Sequence, residues 1–159
     1  MTDQPFVTCL WFDTEAEAAA HYYTSIFKDS KLGRVIRSTE AGPGPAGSVV
    51  TAEFEANGQK FVGLNGGPIF KFNEAISFQI MCKDQAEVDY YWSKLTEQGA
   101  AVECGWLKDR YGLFWQVVPT VLLDMISDPD QERAGRATTA MLSMKKLDIA
   151  ALQKAYAGE

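Results

Sequence analysis

The side chains able to do chemistry are few and scattered. His21 is the sole histidine of 159 residues. Any Ser/His/Asp set would have to use it, and a satisfied or surface histidine is the favoured role for a residue on an amphipathic stretch. There are three cysteines, Cys9, Cys82 and Cys104, far apart and with no CxxC spacing. An odd, dispersed set argues against a disulfide framework or a zinc ribbon, and reduced thiols in a cytosolic setting are expected. No paired-carboxylate spacing stands out. The most distinctive polar segment runs from Cys104 to Gly112, CGWLKDRYG. Within it Cys104 would be nucleophilic if a neighbouring cation lowered its pKa, although a strand cysteine is more often an inert small hydrophobe. Lys108 and Asp109 offer an acid/base pair, but Asp-x-Tyr-Gly is ordinary turn chemistry and the turn is favoured.

The elements that must position these groups follow from periodicity. Phe6 to Phe12 is an apolar run of strand formers. Asp13-Thr14 ends it and is expected to cap a helix from Glu15 to Phe27, with Ala19, Tyr22, Tyr23, Ile26 and Phe27 on one stripe. Leu32 to Ser38 reads as a strand, and Ala41 to Gly47 (AGPGPAG) as a loop. Ser48 to Glu55 alternates as a half-buried strand does. Asn57-Gly58 signals a hairpin into a returning strand, Gln59 to Asn65. Ile76 to Cys82 is a further strand, followed by Asp84 as cap and a helix from Gln85 to Gln98 that Gly99 ends. Val102 to Trp106 and Leu113 to Pro119 read as strands around a turn at Asp109 to Gly112. In the tail, Asp128-Pro129 predicts a helix start, with helices to about Ser143 and from Asp148 to Ala157.

Composition bounds the function classes. The chain is 47% hydrophobic and 23% charged, ordinary for a globular domain. Net charge is −6 and the longest basic run is Lys145-Lys146, so nucleic acid is a poor partner. The opening MTDQPFVTCLWF is acidic at Asp3 and lacks a long apolar run, which predicts neither a signal peptide nor a membrane span. A cytoplasmic location follows as the expectation.

The two halves repeat. Tyr22-Tyr23-(x)3-Phe27 matches Tyr90-Tyr91-(x)3-Leu95 at an offset of 68, and the strands before them are offset by 70. Duplication of one supersecondary unit explains both. The chain resembles the vicinal oxygen chelate superfamily, the group of glyoxalase I, extradiol dioxygenases and bleomycin-resistance proteins. Within it the chain is similar to the PhnB-like branch, often labelled 3-demethylubiquinone-9 3-methyltransferase. The runs that carry the likeness are Gly58-Gln59-Lys60-Phe61, Phe72 to Ser77, Cys104 to Gly112, Trp115 to Pro119 and Ala140 to Asp148. The resemblance implies an α+β fold in which two tandem βαβββ modules form a curved mixed-sheet cup. One domain over 1–159 is expected, with module one at 5–68, module two at 75–120 and a helical tail at 128–157. It also implies a homodimer.

In metal-using relatives a divalent ion is held by side chains on the first and last strands of each module. Those positions fall here on Val7, Val62, Ser77 and Gln116. Valine has no lone pair and a neutral serine is a weak ligand, whereas catalytic sites generally need about three protein ligands. No metal and no cofactor are therefore expected. The cup would be lined by Val7, Cys9 and Trp11; Lys60, Val62 and Leu64; Ser77, Gln79 and Met81; and Phe114, Gln116 and Val118. A mostly apolar wall with a few polar handles suits a small molecule, and a filled core is the competing reading. The substrate-binding set is taken as Trp11, Ser77, Gln79, Cys104, Trp106, Lys108, Phe114 and Gln116, with Trp11, Trp106 and Phe114 able to stack on a planar ligand. The methyltransferase label meets one obstacle. A common methyl-donor site wants a Gly-rich turn from strand to helix, and AGPGPAG carries two prolines and leads into a strand. Three readings remain: metal-free binding of a small apolar or aromatic molecule; a metal-dependent lyase, isomerase or dioxygenase; and a structural or partner-binding dimer without a pocket.

Overall fold

A computed structural model describes residues 6–159. In chain order the elements are β1 (Thr8–Phe12), α1 (Ala16–Ile26), β2 (Lys31–Arg37), β3 (Val49–Ala56), β4 (Gln59–Asn65), β5 (Ser77–Cys82), α2 (Gln85–Thr96), β6 (Ala100–Ala101), β7 (Trp106–Lys108), β8 (Phe114–Pro119), α3 (Thr120–Ile126), α4 (Gln131–Leu142) and α5 (Ile149–Ala157). They form two compact units, one ending at Phe72 and the other running from Asn73 to Glu159. Each holds a four-stranded mixed sheet, ordered β1-β4-β3-β2 in the first and β5-β8-β7-β6 in the second. The orders are equivalent, with the module's first strand parallel to its last in both. This is the α+β duplication that the repeat predicts, and neither sheet closes into a barrel.

In the first unit α1 buries Ala16, Ala19, Ala20, Tyr23 and Ile26 against the sheet. Its small residues let it approach closely: a Cβ on Gly63 would lie 3.0 Å from the Cβ of Ala16. The rings of Tyr23, Phe54 and Phe61 stack in sequence, with centroids 5.7 and 5.1 Å apart. The Asn57-Gly58 turn has positive φ at both residues, 52° and 74°, as a two-residue hairpin of this hand requires. The expected Asp13-Thr14 cap is not what starts α1. Glu15 occupies the N-cap without a side-chain bond, and the Ala16 N–H donates instead to Asn65 Oδ1 at 2.9 Å. Asn65 Nδ2 donates to the Val49 carbonyl at 3.1 Å, so one amide ties helix, β3 and β4 together. Strand β2 is the sheet's edge, exposed along its whole length, with breaks in register after Leu32 and after Ile36.

In the second unit α2 packs on β8, β7 and β5 through Val88, Tyr91 and Leu95. Asp84 caps it as expected, accepting from the Glu87 N–H. The left-handed residue at its end is Gln98, at φ 62°, rather than Gly99. Gly99 serves a different need, because a Cβ there would stand 2.2 Å from the Lys108 carbonyl oxygen. The strand expected over Val102 to Trp106 is displaced. Cys104 and Gly105 both have positive φ, 59° and 81°, so the chain turns there. Strands form on either side, at β6 and β7. The tail holds that turn, with the Cys104 and Gly105 N–H groups donating to the carbonyls of Met144 and Lys145. The short helix α3, which no sequence signal marked, follows β8 directly. The cap of α4 is Asp130, not Asp128, and its carboxylate accepts from the Glu132 and Arg133 N–H groups. Val118, Leu122, Met125, Ala137, Leu147 and Leu152 make the core of this helical end.

Candidate functional site

In the second sheet the strand register places six of the expected binding residues in two rows on the face opposite α2. Gln79 on β5 pairs with Gln116 on β8, which pairs with Trp106 on β7. One row over, Ser77 pairs with Phe114, which pairs with Lys108. Directly paired residues point to the same side of a sheet. The alternate residues Ile80, Cys82, Leu107, Trp115 and Val117 are buried and take the helix side, as period-two alternation demands. Gln79 and Lys108 are exposed, and Ser77, Gln116 and Trp106 half-buried. Phe114 is 5% exposed, so it forms a floor and offers no free ring face, contrary to the stacking expected of it. Val118, one step further along β8, belongs to the helical core.

The polar members are wired to one another. Gln116 Nε2 donates to Ser77 Oγ at 2.8 Å, and Gln79 Nε2 donates to Gln116 Oε1 at 3.2 Å. The Gln116 amide is thereby held at both ends. What remains available is the Ser77 hydroxyl hydrogen, the second Gln116 Nε2 hydrogen and the Gln79 Oε1 lone pairs. That is a fixed set of donors and an acceptor beside an indole.

Two of the expected site residues, Cys104 and Trp11, are not in these rows. Cys104 sits in the β6–β7 turn, half-buried. Trp11 is in the first unit, where its Nε1 donates to the Gly67 carbonyl at 2.9 Å and its ring meets Phe70 edge-on. There it borders a cleft of about 1000 Å³ that also reaches Asp13, Glu17, His21 and Asn65. His21 is exposed, as expected, yet it lines this cleft, which sequence periodicity had no means to locate. A second hollow of about 520 Å³ in the same unit is lined by Val7, Lys60 and Val62 together with Lys31, Glu53 and Glu55. Its carboxylates are engaged: Glu55 pairs with Lys31 at 3.4 Å and Glu53 with Arg34 at 2.9 Å.

Lys108 and Asp109 do not form an acid/base pair. Asp109 is 1% exposed. Its Oδ1 accepts from the Tyr111 and Leu113 N–H groups, and its Oδ2 accepts from Trp115 Nε1 at 2.9 Å. The carboxylate is the keystone of the turn. Cys82 is equally removed from chemistry, because burial first, and then Glu87 and Asp84, push its thiol up to about 12.

The residues do not fit a divalent ion. Val7 and Val62 carry no donor, Ser77 Oγ already accepts from Gln116, and Gln116 Oε1 accepts from Gln79. Among the described residues no group of three His, Cys, Asp or Glu side chains could hold a metal. The Ala41–Gly47 loop joins β2 to the antiparallel β3 and opens no helix. No described helix is long and apolar enough to cross a membrane.

Comparison with known proteins places the chain. Residues 4–118 match the family model described as 3-demethylubiquinone-9 3-methyltransferase. A PhnB protein from Bacillus cereus, provisionally described as a 3-demethylubiquinone-9 3-methyltransferase, is 34% identical with a TM-score of 0.67, over 74% of this chain and 100% of that one. Protein PA1353 from Pseudomonas aeruginosa is 17% identical with a TM-score of 0.59, over 74% of this chain and 98% of that one. The fosfomycin resistance protein FosX from Listeria monocytogenes is 15% identical with a TM-score of 0.51, over 80% of this chain and 100% of that one. The last two share the fold. No curated protein matches the chain.

Proposed function

The chain belongs to the 3-demethylubiquinone-9 3-methyltransferase family, within the PhnB-like branch of the vicinal oxygen chelate superfamily, and on that premise we propose that it binds a small planar aromatic molecule without a metal. The face of the second sheet opposite α2 is the site. One observation carries the reading: the amide of Gln116 is held from both sides by Ser77 and Gln79, at a position that metal-using relatives give to a ligand. A fixed amide beside the half-buried Trp106 supplies orientation and an aromatic contact, the usual division of labour in a small-molecule site. The family description speaks of methyl transfer, but the chain's Gly-rich segment lacks the strand-to-helix setting of a common methyl-donor loop.

The test is thermal stability against a panel of planar aromatic compounds, measured with and without a chelator. A compound at one hundred times its Kd adds about 2.7 kcal/mol to stability, which moves Tm by about 5–10 °C at this size. Gln116→Leu should abolish the shift. A panel that moves nothing, or a shift that vanishes with the chelator and returns with added metal, sinks the proposal.

A further inference from the structure

Resting on that site, we infer that its ligand is an anion, an aromatic carboxylate or a similar planar oxyanion. The groups presented by the two rows are an ammonium (Lys108), a hydroxyl (Ser77), two amides (Gln79, Gln116) and one aromatic ring (Trp106), over a floor made by the buried Phe114. No carboxylate stands among them. The nearest acid in sequence, Asp109, is turned into its own loop, where it accepts from the Tyr111 and Leu113 N–H groups and from Trp115 of the helix side. Lys31, Arg34, Arg37, Lys83, Arg136, Lys145 and Lys146 are each engaged in an ion pair, and Lys108 is in none of these pairs. In a chain of net charge −6, a face that collects a cation and no acid is a local inversion of sign.

The donors also converge. Lys108 and Ser77 flank Phe114 in one row, and the remaining Gln116 Nε2 hydrogen lies beside Ser77 Oγ. A carboxylate placed above Phe114 reaches the ammonium with one oxygen and the hydroxyl or the amide with the other. The ring then extends toward Trp106 in the adjacent row. Hydrogen bonds to a charged acceptor outweigh neutral ones, and solvent exposure of Lys108 reduces the difference. A carboxylate is therefore expected to bind roughly tenfold more tightly than its neutral amide.

The experiment uses the whole chain with 2-naphthoate and its isostere 2-naphthamide. Binding is read from tryptophan fluorescence and from the side-chain amide resonances of Gln79 and Gln116. Naphthoate should win by about tenfold at low salt, with the preference falling as salt is raised and disappearing in Lys108→Met. That variant should keep the parent's circular dichroism and urea midpoint, which separates a charge effect from misfolding. Equal binding of the two probes, or a preference that survives Lys108→Met, overturns the anion while leaving the aromatic site standing. Failure of both probes to move the Gln116 resonances overturns the anion and the site together.

Discussion

Replacing Asp109 with asparagine should unfold the turn that links β7 to β8. The native carboxylate is 1% exposed and accepts from the Tyr111 and Leu113 backbone N–H groups and from the Trp115 indole. An asparagine keeps one acceptor oxygen and must point its amide hydrogens at either the two backbone donors or the indole. At best one donor is left buried and unsatisfied, at about 1–3 kcal/mol, and two charge-assisted bonds become neutral ones, each weaker by about 1 kcal/mol. Asp109→Asn should therefore lose about 3–5 kcal/mol of stability. With a urea dependence of about 2 kcal/mol per molar, the midpoint falls by about 2 M, read by circular dichroism. Lys108→Met, its neighbour, should stay within about 0.5 kcal/mol of the parent. A loss below about 1 kcal/mol in Asp109→Asn would refute the keystone role.

Other positions are equally open to test. Gly66→Ala places a Cβ 2.3 Å from the Trp11 ring, which the Gly67 bond holds in place; a loss of about 1–3 kcal/mol with a changed tryptophan emission is expected, and unchanged stability would show that the ring gives way freely. Cys9 is exposed whereas the Cys82 thiol is buried and raised to about 12, so at pH 8 an alkylating reagent should label Cys9 well before Cys82, with comparable rates as the refuting result. The Tyr156 hydroxyl donates to Asp128, which lowers the carboxylate's pKa and raises the phenol's. Its stabilisation is complete between the two unfolded values, is lost as pH falls through the lowered Asp128 pKa, and is lost again as pH rises through the raised Tyr156 pKa. Tyr156→Phe should flatten both limbs of the stability profile, and an unchanged acid limb would count against the pair.

What was legible in the sequence was local. Asn57-Gly58 and Asp84 carry their meaning within three residues, and each stands where its chemistry predicts. The rows of the second sheet were legible too, because alternation along β5 and β8 sorts side chains onto faces without knowledge of the partner strand. What stayed hidden depends on distant contact. Asn65 acts on a helix start 49 positions away. The Cys104-Gly105 turn is held by carbonyls at Met144 and Lys145, so its strand-like composition misled. Gly99 invites a helix-ending role, but the crowding that requires it comes from β7.

Strand β2 brings a hazard with it. An edge that shows Leu32, Val35 and Ile36 to solvent is a template on which another chain's strand can add. Its cations do little to prevent this, because Lys31, Arg34 and Arg37 are each matched by a glutamate of the same unit. The two breaks in register do more. They interrupt the even spacing of N–H and C=O groups that an incoming strand would need, and Gly33, whose Cβ would stand 2.9 Å from that of Glu53, lies within the first of them. The irregularity of this edge thus guards the protein against aggregation through its own most exposed strand.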